Sequence, residues 1–334
     1  MNRKLGCISS AENERLALKY GFKSDRDSIA ELAAPWDKTD KPSIITWNKS
    51  WKDKLEKEAN ALDKLRDAGT FPSIWGIALK CGYNLSALCD SIQRGNDCTA
   101  WGTSRAAVCL ALYQMYLGAE IDVTKYNPTG VYAYSSNKQP SAWISFPDNG
   151  RTIYGIAEAA CEIGNFPTGA IGGYTGDARF TQRMIDSVDV AEKNQMGFVY
   201  LGNESRTPEE LADIVILSVR ACRPCIIGNT VALQDGTALN QDGVYVSNVG
   251  GGWGGGHCTA AVDVKKVGSD YYIWIYNSHG KLYLAGDGSP DEGTYITRKG
   301  LIKYLSGSFA DVMPTTYIER PRVEYKDYRR EVNG

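Results

Sequence analysis

The period of the apolar positions changes near the middle of the chain. In WKDKLEKEANALDKLRDAG, Leu55, Ala59, Leu62 and Leu65 share one face at helical spacing and Gly69 supplies a stop, so the pattern predicts a helix there. SRAAVCLALYQMYLGAE and GRTIYGIAEAACEIG are apolar over most of their surface and predict buried or half-buried helices. A further helix opens on Thr207 as N-cap, with Pro208 at its first position and Glu210 completing a capping box, and runs through LADIVILSVRAC. Beyond about residue 222 the texture is that of strands. PCIIGNTV, GVYVS, CTAAVDVKKV, DYYIWIYNS and GTYITR are rich in β-branched and aromatic residues, with Gly, Asn and Asp turns between them. Helices gathered before that point and strands after it predict an α+β protein with the two kinds segregated.

Composition narrows the classes. Hydrophobic residues are 43% and charged residues 23% of 334, which excludes a disordered or fibrous chain and allows a sizeable core. Lys and Arg total 37 against 39 Asp and Glu, so no global positive field exists and nucleic acid is not expected as a partner. No apolar stretch reaches the length of a spanning helix, so no membrane partner is expected. The start, MNRKLGCISSAENERL, lacks the apolar run of an export signal, and Leu5-Gly6-Cys7 without such a run is not a lipidation box. The expected location is the cytoplasm or the inside of a virus or phage particle. Three regions are expected. Residues 1–74, with Trp36, Trp47 and Trp51, form an extension that acts as a docking element or resembles a prosegment; 75–318 form the main domain; 319–334 form a charged tail suited to a docking partner.

The chain has only two histidines, His257 and His279, so any imidazole chemistry must use one of them. Its nine cysteines are odd in number and too sparse for a disulfide scaffold. In GNDCTAWGTSRAAVCLALYQ, turn-forming residues lead into Cys98 at the head of a long apolar helix, where unpaired N–H groups favour thiolate over thiol. His257 follows the glycine run GGGWGGG and opens the apolar strand CTAAVDV. The run has no Lys-Ser/Thr ending and leads into a strand, so it is expected to be a flexible loop beside a cleft and not a phosphate cradle. Cys222 and Cys225 in CRPC follow a helix that has ended, where the dipole disfavours thiolate, so redox chemistry is not expected. No second cysteine pair at metal spacing exists, and neither metal nor cofactor is expected.

These segments together carry a resemblance. NDCTAWG resembles the nucleophile segment of the papain-like (C1 family) cysteine peptidases, in a bacterial or phage style where Cys-Thr-Ala-Trp replaces Cys-Trp-Ala-Phe. GGHCTAAVDV followed by YYIWIYNSHG resembles the family's histidine-bearing strand and the next strand, which ends in Asn-Ser-Trp-Gly. The separation of His257 from Cys98 is a little beyond the roughly 130 to 150 residues usual there. The resemblance implies a two-lobed fold, a helical lobe plus a β-barrel lobe, with the cleft between them.

It also implies roles. Cys98 would be the nucleophile, His257 its ion-pair partner and proton donor to the leaving amine, and Asn277 the group that orients the imidazole. Gln93 would donate to the oxyanion beside the Cys98 N–H, with Asn96 as the alternative. His279 stands where the family has a Trp that shields the Asn–His hydrogen bond, so that cover is either missing or supplied by Trp253. The implied function is hydrolysis of amide bonds in a polypeptide substrate without a cofactor. Other readings are a structural component of a virus or phage particle built on the same body, a cell-wall peptide amidase, and an acyl transferase.

Overall fold

A computed structural model of the chain describes residues 42–90, 92–93, 95–117, 121, 123–136, 150–172, 178–202 and 205–318. It begins with strand β1 (Ile44–Thr46) and helix α1 (Lys49–Asp67), whose N-cap Asn48 accepts from the Trp51 N–H. Leu55, Ala59, Leu62 and Leu65 are buried along one face, as their spacing predicts, and Gly69 at φ 69° makes the left-handed turn that ends the helix. That face packs on the rest of the chain: Leu55 and Ala59 meet Leu217 and Ala221. The contact is reinforced by ion pairs from Glu58 to Arg223 at 2.9 Å and from Asp63 to Arg220 at 2.7 Å. Of the segments expected to dock, residues 42–74 therefore lie against the chain's own body. Residues 1–41 and 319–334 lie outside the described residues.

Next come α2 (Ile74–Lys80), α3 (Cys98–Tyr116), α4 (Pro128–Ser136) and α5 (Ile153–Glu162). α3 is buried on nearly every side from Thr99 to Gln114, which explains its lack of a polar stripe. Strand β2 (Met196–Tyr200) precedes α6 (Pro208–Arg220), whose capping box of Thr207 and Glu210 forms as predicted. The remaining elements are β3 (Cys225–Leu233), β4 (Ala238–Leu239), β5 (Tyr245–Val246), β6 (Val249–Val267), β7 (Asp270–Tyr276), β8 (Gly293–Thr297), α7 (Arg298–Tyr304) and β9 (Ala310–Ile318). The strands form one sheet in the order β1-β2-β9-β3-β6-β7-β8-β5-β4, parallel at β1/β2 and β5/β8 and antiparallel elsewhere.

Strand alternation gives this sheet two apolar faces. Tyr272, Trp274 and Tyr276 of β7, with Cys258, Ala260 and Val262 of β6, join the core that contains α3. Ile273 and Ile275, with Ala261 and Val264, join the core that contains α6 and α7. The protein is α+β, as expected, although β1 and β2 come before the helix-to-strand change and α7 after it.

One expectation is corrected. The glycine run is not a flexible loop but part of β6. Gly252 stands opposite Val231 and His257 opposite Asn229, so β6 spends more residues than β3 between the same two rungs and bulges outward. Gly251 at φ 71° and Gly254 at φ 76° adopt the backbone such a bulge requires.

Candidate active site

Cys98 is the first residue of α3 and is partly buried. Asp97 ahead of it makes no side-chain cap; its Oδ2 accepts from the Trp101 indole N–H at 3.0 Å. Burial pushes the Cys98 thiol above its usual value and the Asp97 carboxylate adds to this, while the backbone N–H groups of Cys258, Thr99 and Cys98 itself act in the opposite sense. The Cys258 amide belongs to the residue after His257, so the start of α3 and the histidine's strand meet at this sulfur. One turn along, Gly102 makes their close approach possible. A Cβ there would lie 2.9 Å from Cys258 Sγ and 3.2 Å from the Thr259 carbonyl oxygen.

His257 is 6% exposed and pairs through Nε2 with Asn277 Oδ1 at 2.9 Å. The Asn277 amide is held in one orientation. The Ser278 backbone N–H donates to its Oδ1 at 2.7 Å, and its Nδ2 donates to the Tyr283 hydroxyl at 2.9 Å. A backbone N–H can only donate, so Oδ1 is the acceptor for both neighbours and His257 carries its proton on Nε2. Nδ1 is then left as the basic nitrogen. Burial lowers the imidazole's pKa to about 4, with the Asn277 hydrogen bond opposing and the neighbouring His279 reinforcing the drop. Burial thus moves both Cys98 and His257 toward their uncharged forms, which works against the ion pair that the resemblance implied.

Two other rings lie against the His257 imidazole. The His257 and His279 ring centroids are 4.4 Å apart and nearly parallel, at 29°. Trp253, carried over by the bulge in β6, lies 4.4 Å from His257 and 5.3 Å from His279. Trp253 and His279 thus both pack on the His257 ring, where the sequence left open whether any ring would stand. Phe309, half-exposed, lies beside the glycine that precedes His257, where a Cβ on Gly256 would be 2.7 Å from its ring.

Gln93 is brought to the same place by a different bond from the one expected. Its Oε1 accepts from Ser278 Oγ at 2.6 Å, its backbone N–H donates to the Ser278 carbonyl at 2.9 Å, and its Nε2 donates to the Gly95 carbonyl at 2.6 Å. One amide hydrogen is used in this way, and the side chain ties the loop before Cys98 to the turn after Asn277. Asn96 is exposed in that loop. Sequence reasoning missed Ser278 and Tyr283 as the groups that fix Asn277; nothing in GKLYLAG marks Tyr283 in advance. Cys222 and Cys225 are buried, and burial pushes each thiol up to about 12. Among the described residues no group of three or more His, Cys, Asp or Glu is arranged to hold a metal ion, and no helix is long and apolar enough to cross a membrane.

No family model matches the chain, and no curated protein matches it. Solved structures similar to it include xylellain, a cysteine protease from Xylella fastidiosa, at 12% identity over 71% of this chain and 89% of that one, with a TM-score of 0.44. The Carica candamarcensis cysteine protease CMS1MS2, solved with E-64, is 14% identical over 70% of this chain and 93% of its own, with a TM-score of 0.40. Digestive procathepsin L 3 of Tenebrio molitor larval midgut is 12% identical over 67% and 64%, with a TM-score of 0.38.

Proposed function

We propose that the chain is a papain-like cysteine peptidase that hydrolyses amide bonds with Cys98 as nucleophile, His257 as base and Asn277 as the group that orients the base. The observation that carries this reading is the buried hydrogen bond from His257 Nε2 to Asn277 Oδ1, 2.9 Å long and locked by Ser278 and Tyr283. It leaves Nδ1 as the lone-pair nitrogen, on a strand packed against the helix that begins with Cys98.

In this reading the reaction starts from the uncharged pair that burial favours. As Cys98 Sγ attacks the carbonyl carbon, its proton passes to His257 Nδ1, and the carbonyl oxygen becomes an oxyanion. The imidazolium then gives that proton to the leaving nitrogen, and the C–N bond breaks to leave a thioester. Water, deprotonated by the same Nδ1, attacks the thioester carbon and restores the thiol. The oxyanion's donors in this reading are the Cys98 N–H at the positive end of α3 and the second Nε2–H of Gln93. Burial of His257 beneath the Trp253 and His279 rings strengthens these interactions as charge forms.

The test is turnover of a mixed peptide library by the full chain, with Cys98→Ala and His257→Ala compared after confirming equal melting temperatures. The reading predicts that both variants lose cleavage. Cleavage retained in both contradicts it, and cleavage of cell-wall peptides alone moves the assignment to an amidase.

A further inference from the structure

The second histidine of the chain is stacked on the first. His257 is buried, whereas His279 is exposed, and their rings lie nearly parallel with centroids 4.4 Å apart. A proton taken up from solvent by the outer ring thus appears as a like charge one ring away from the inner one. We propose that His279 is a positioning residue for His257 and that its protonation takes the base out of service. The proposal rests on the assignment of His257 as base made above.

The physical argument concerns the step in which Nδ1 of His257 accepts the thiol proton. With His279 neutral, the new imidazolium faces a polarisable ring and the Trp253 indole, both of which tolerate a cation over their faces. With His279 charged, two imidazoliums are stacked at contact distance, and the transfer is opposed. Two charges at about 4 Å repel strongly even at an effective dielectric near 20, and solvent around the exposed ring reduces this, so the expected slowing is about tenfold.

The groups facing His279 set where this happens. Burial against the stack lowers its pKa from 6.5, the Asp235 carboxylate beyond β3 raises it, and Arg105 of α3 lowers it. Facing His257 are Asn277, which is held by Tyr283, and His279 itself. The step therefore falls on the acid side of pH 6.5 and moves with Asp235.

The experiment is the rate of Cys98 carboxamidomethylation by iodoacetamide, read by peptide mapping from acidic to mildly alkaline pH. His279→Phe keeps the ring and removes the charge, His279→Gln keeps polarity, and Asp235→Asn removes the group that favours protonation of His279. The wild type is expected to slow about tenfold through the mildly acidic range. His279→Phe and His279→Gln should lack this step and coincide with wild type in shape above it, and Asp235→Asn should shift it to lower pH. A His279→Phe profile that keeps the wild-type step overturns the proposal, because a purely structural role of the ring predicts that result. His257→Ala separates the two levels. If it labels Cys98 as fast as wild type at neutral pH, the base assignment fails and the inference with it. If it labels slowly while His279→Phe keeps the step, only the inference fails.

Discussion

Replacing Gly102 by alanine places one carbon between the helix that starts with Cys98 and the strand that carries His257. That Cβ would sit 2.9 Å from Cys258 Sγ and 3.2 Å from the Thr259 carbonyl oxygen, against the roughly 3.5–4.0 Å of an ordinary carbon contact. The two elements must therefore part by about half an ångström or more. Overpacking of this kind costs about 1–3 kcal/mol. Alanine in place of glycine in a helix interior returns about 1 kcal/mol. The net loss is at most about 2 kcal/mol, a few degrees in Tm. Reactivity should suffer more, because a misplacement near 1 Å is able to cost about a hundredfold; a shift of half that predicts roughly tenfold slower labelling of Cys98. In a Cys258→Ala background the shortest contact is gone and the 3.2 Å approach to the Thr259 carbonyl oxygen remains, so the loss on Gly102→Ala should shrink toward zero. Thermal melts and iodoacetamide labelling of the two single variants and the double variant form the cycle. A coupling near 1 kcal/mol or above is expected. Additivity within about 0.5 kcal/mol, with unchanged labelling, refutes the reasoning.

Three further outcomes are expected. Asn277→Ala removes the acceptor of His257 Nε2 and strands the Tyr283 hydroxyl and Ser278 N–H; at about 1–3 kcal/mol this slows Cys98 labelling roughly tenfold to a hundredfold, and Tyr283→Phe slows it by no more than about tenfold. His257 is held near 4 in the fold against 6.5 when unfolded, so the unfolded chain binds the extra proton and stability falls as pH drops from 6.5 toward 4, by up to roughly 3 kcal/mol; denaturant melts of His257→Ala should lack that part of the slope. Arg223→Met leaves Glu58 buried beside an apolar side chain and should cost about 3–5 kcal/mol, whereas Glu58→Met with Arg223→Met should recover most of it in thermal melts.

What the sequence disclosed depended on how local each signal is. The capping box of Thr207 and Glu210 and the apolar face of α1 are written in neighbouring residues, and both formed as predicted. Strand β9 was not read because Pro314 interrupts ADVMPTTYI, and proline argues against a central strand. The sheet accommodates it: Thr315 donates to the Pro224 carbonyl on the β3 side, which turns the missing N–H toward β2, where the register shifts between Met196 and Phe198. The glycine run misled for a related reason. Glycine content signals a loop, and only the pairing of Gly252 with Val231 and of His257 with Asn229 shows a bulged strand. In the candidate site, Cys98, His257 and Asn277 were named through the resemblance, and the His257–Asn277 hydrogen bond of 2.9 Å brings two of the three together. Ser278 and Tyr283 were not named, because their part depends on where Asn277 points. Gln93 was read as an oxyanion donor, and its ties to Ser278 and Gly95 are set by a loop geometry that no spacing encodes.

The most direct measurement is labelling of the native full chain with a papain-type epoxide inhibitor, mapped over all nine cysteines and repeated on His257→Ala. The account predicts modification at Cys98 and not at the buried thiols such as Cys109, Cys222 and Cys225, with the Cys98 label lost in His257→Ala. Labelling spread over several cysteines, or a Cys98 label that survives the loss of His257, contradicts it.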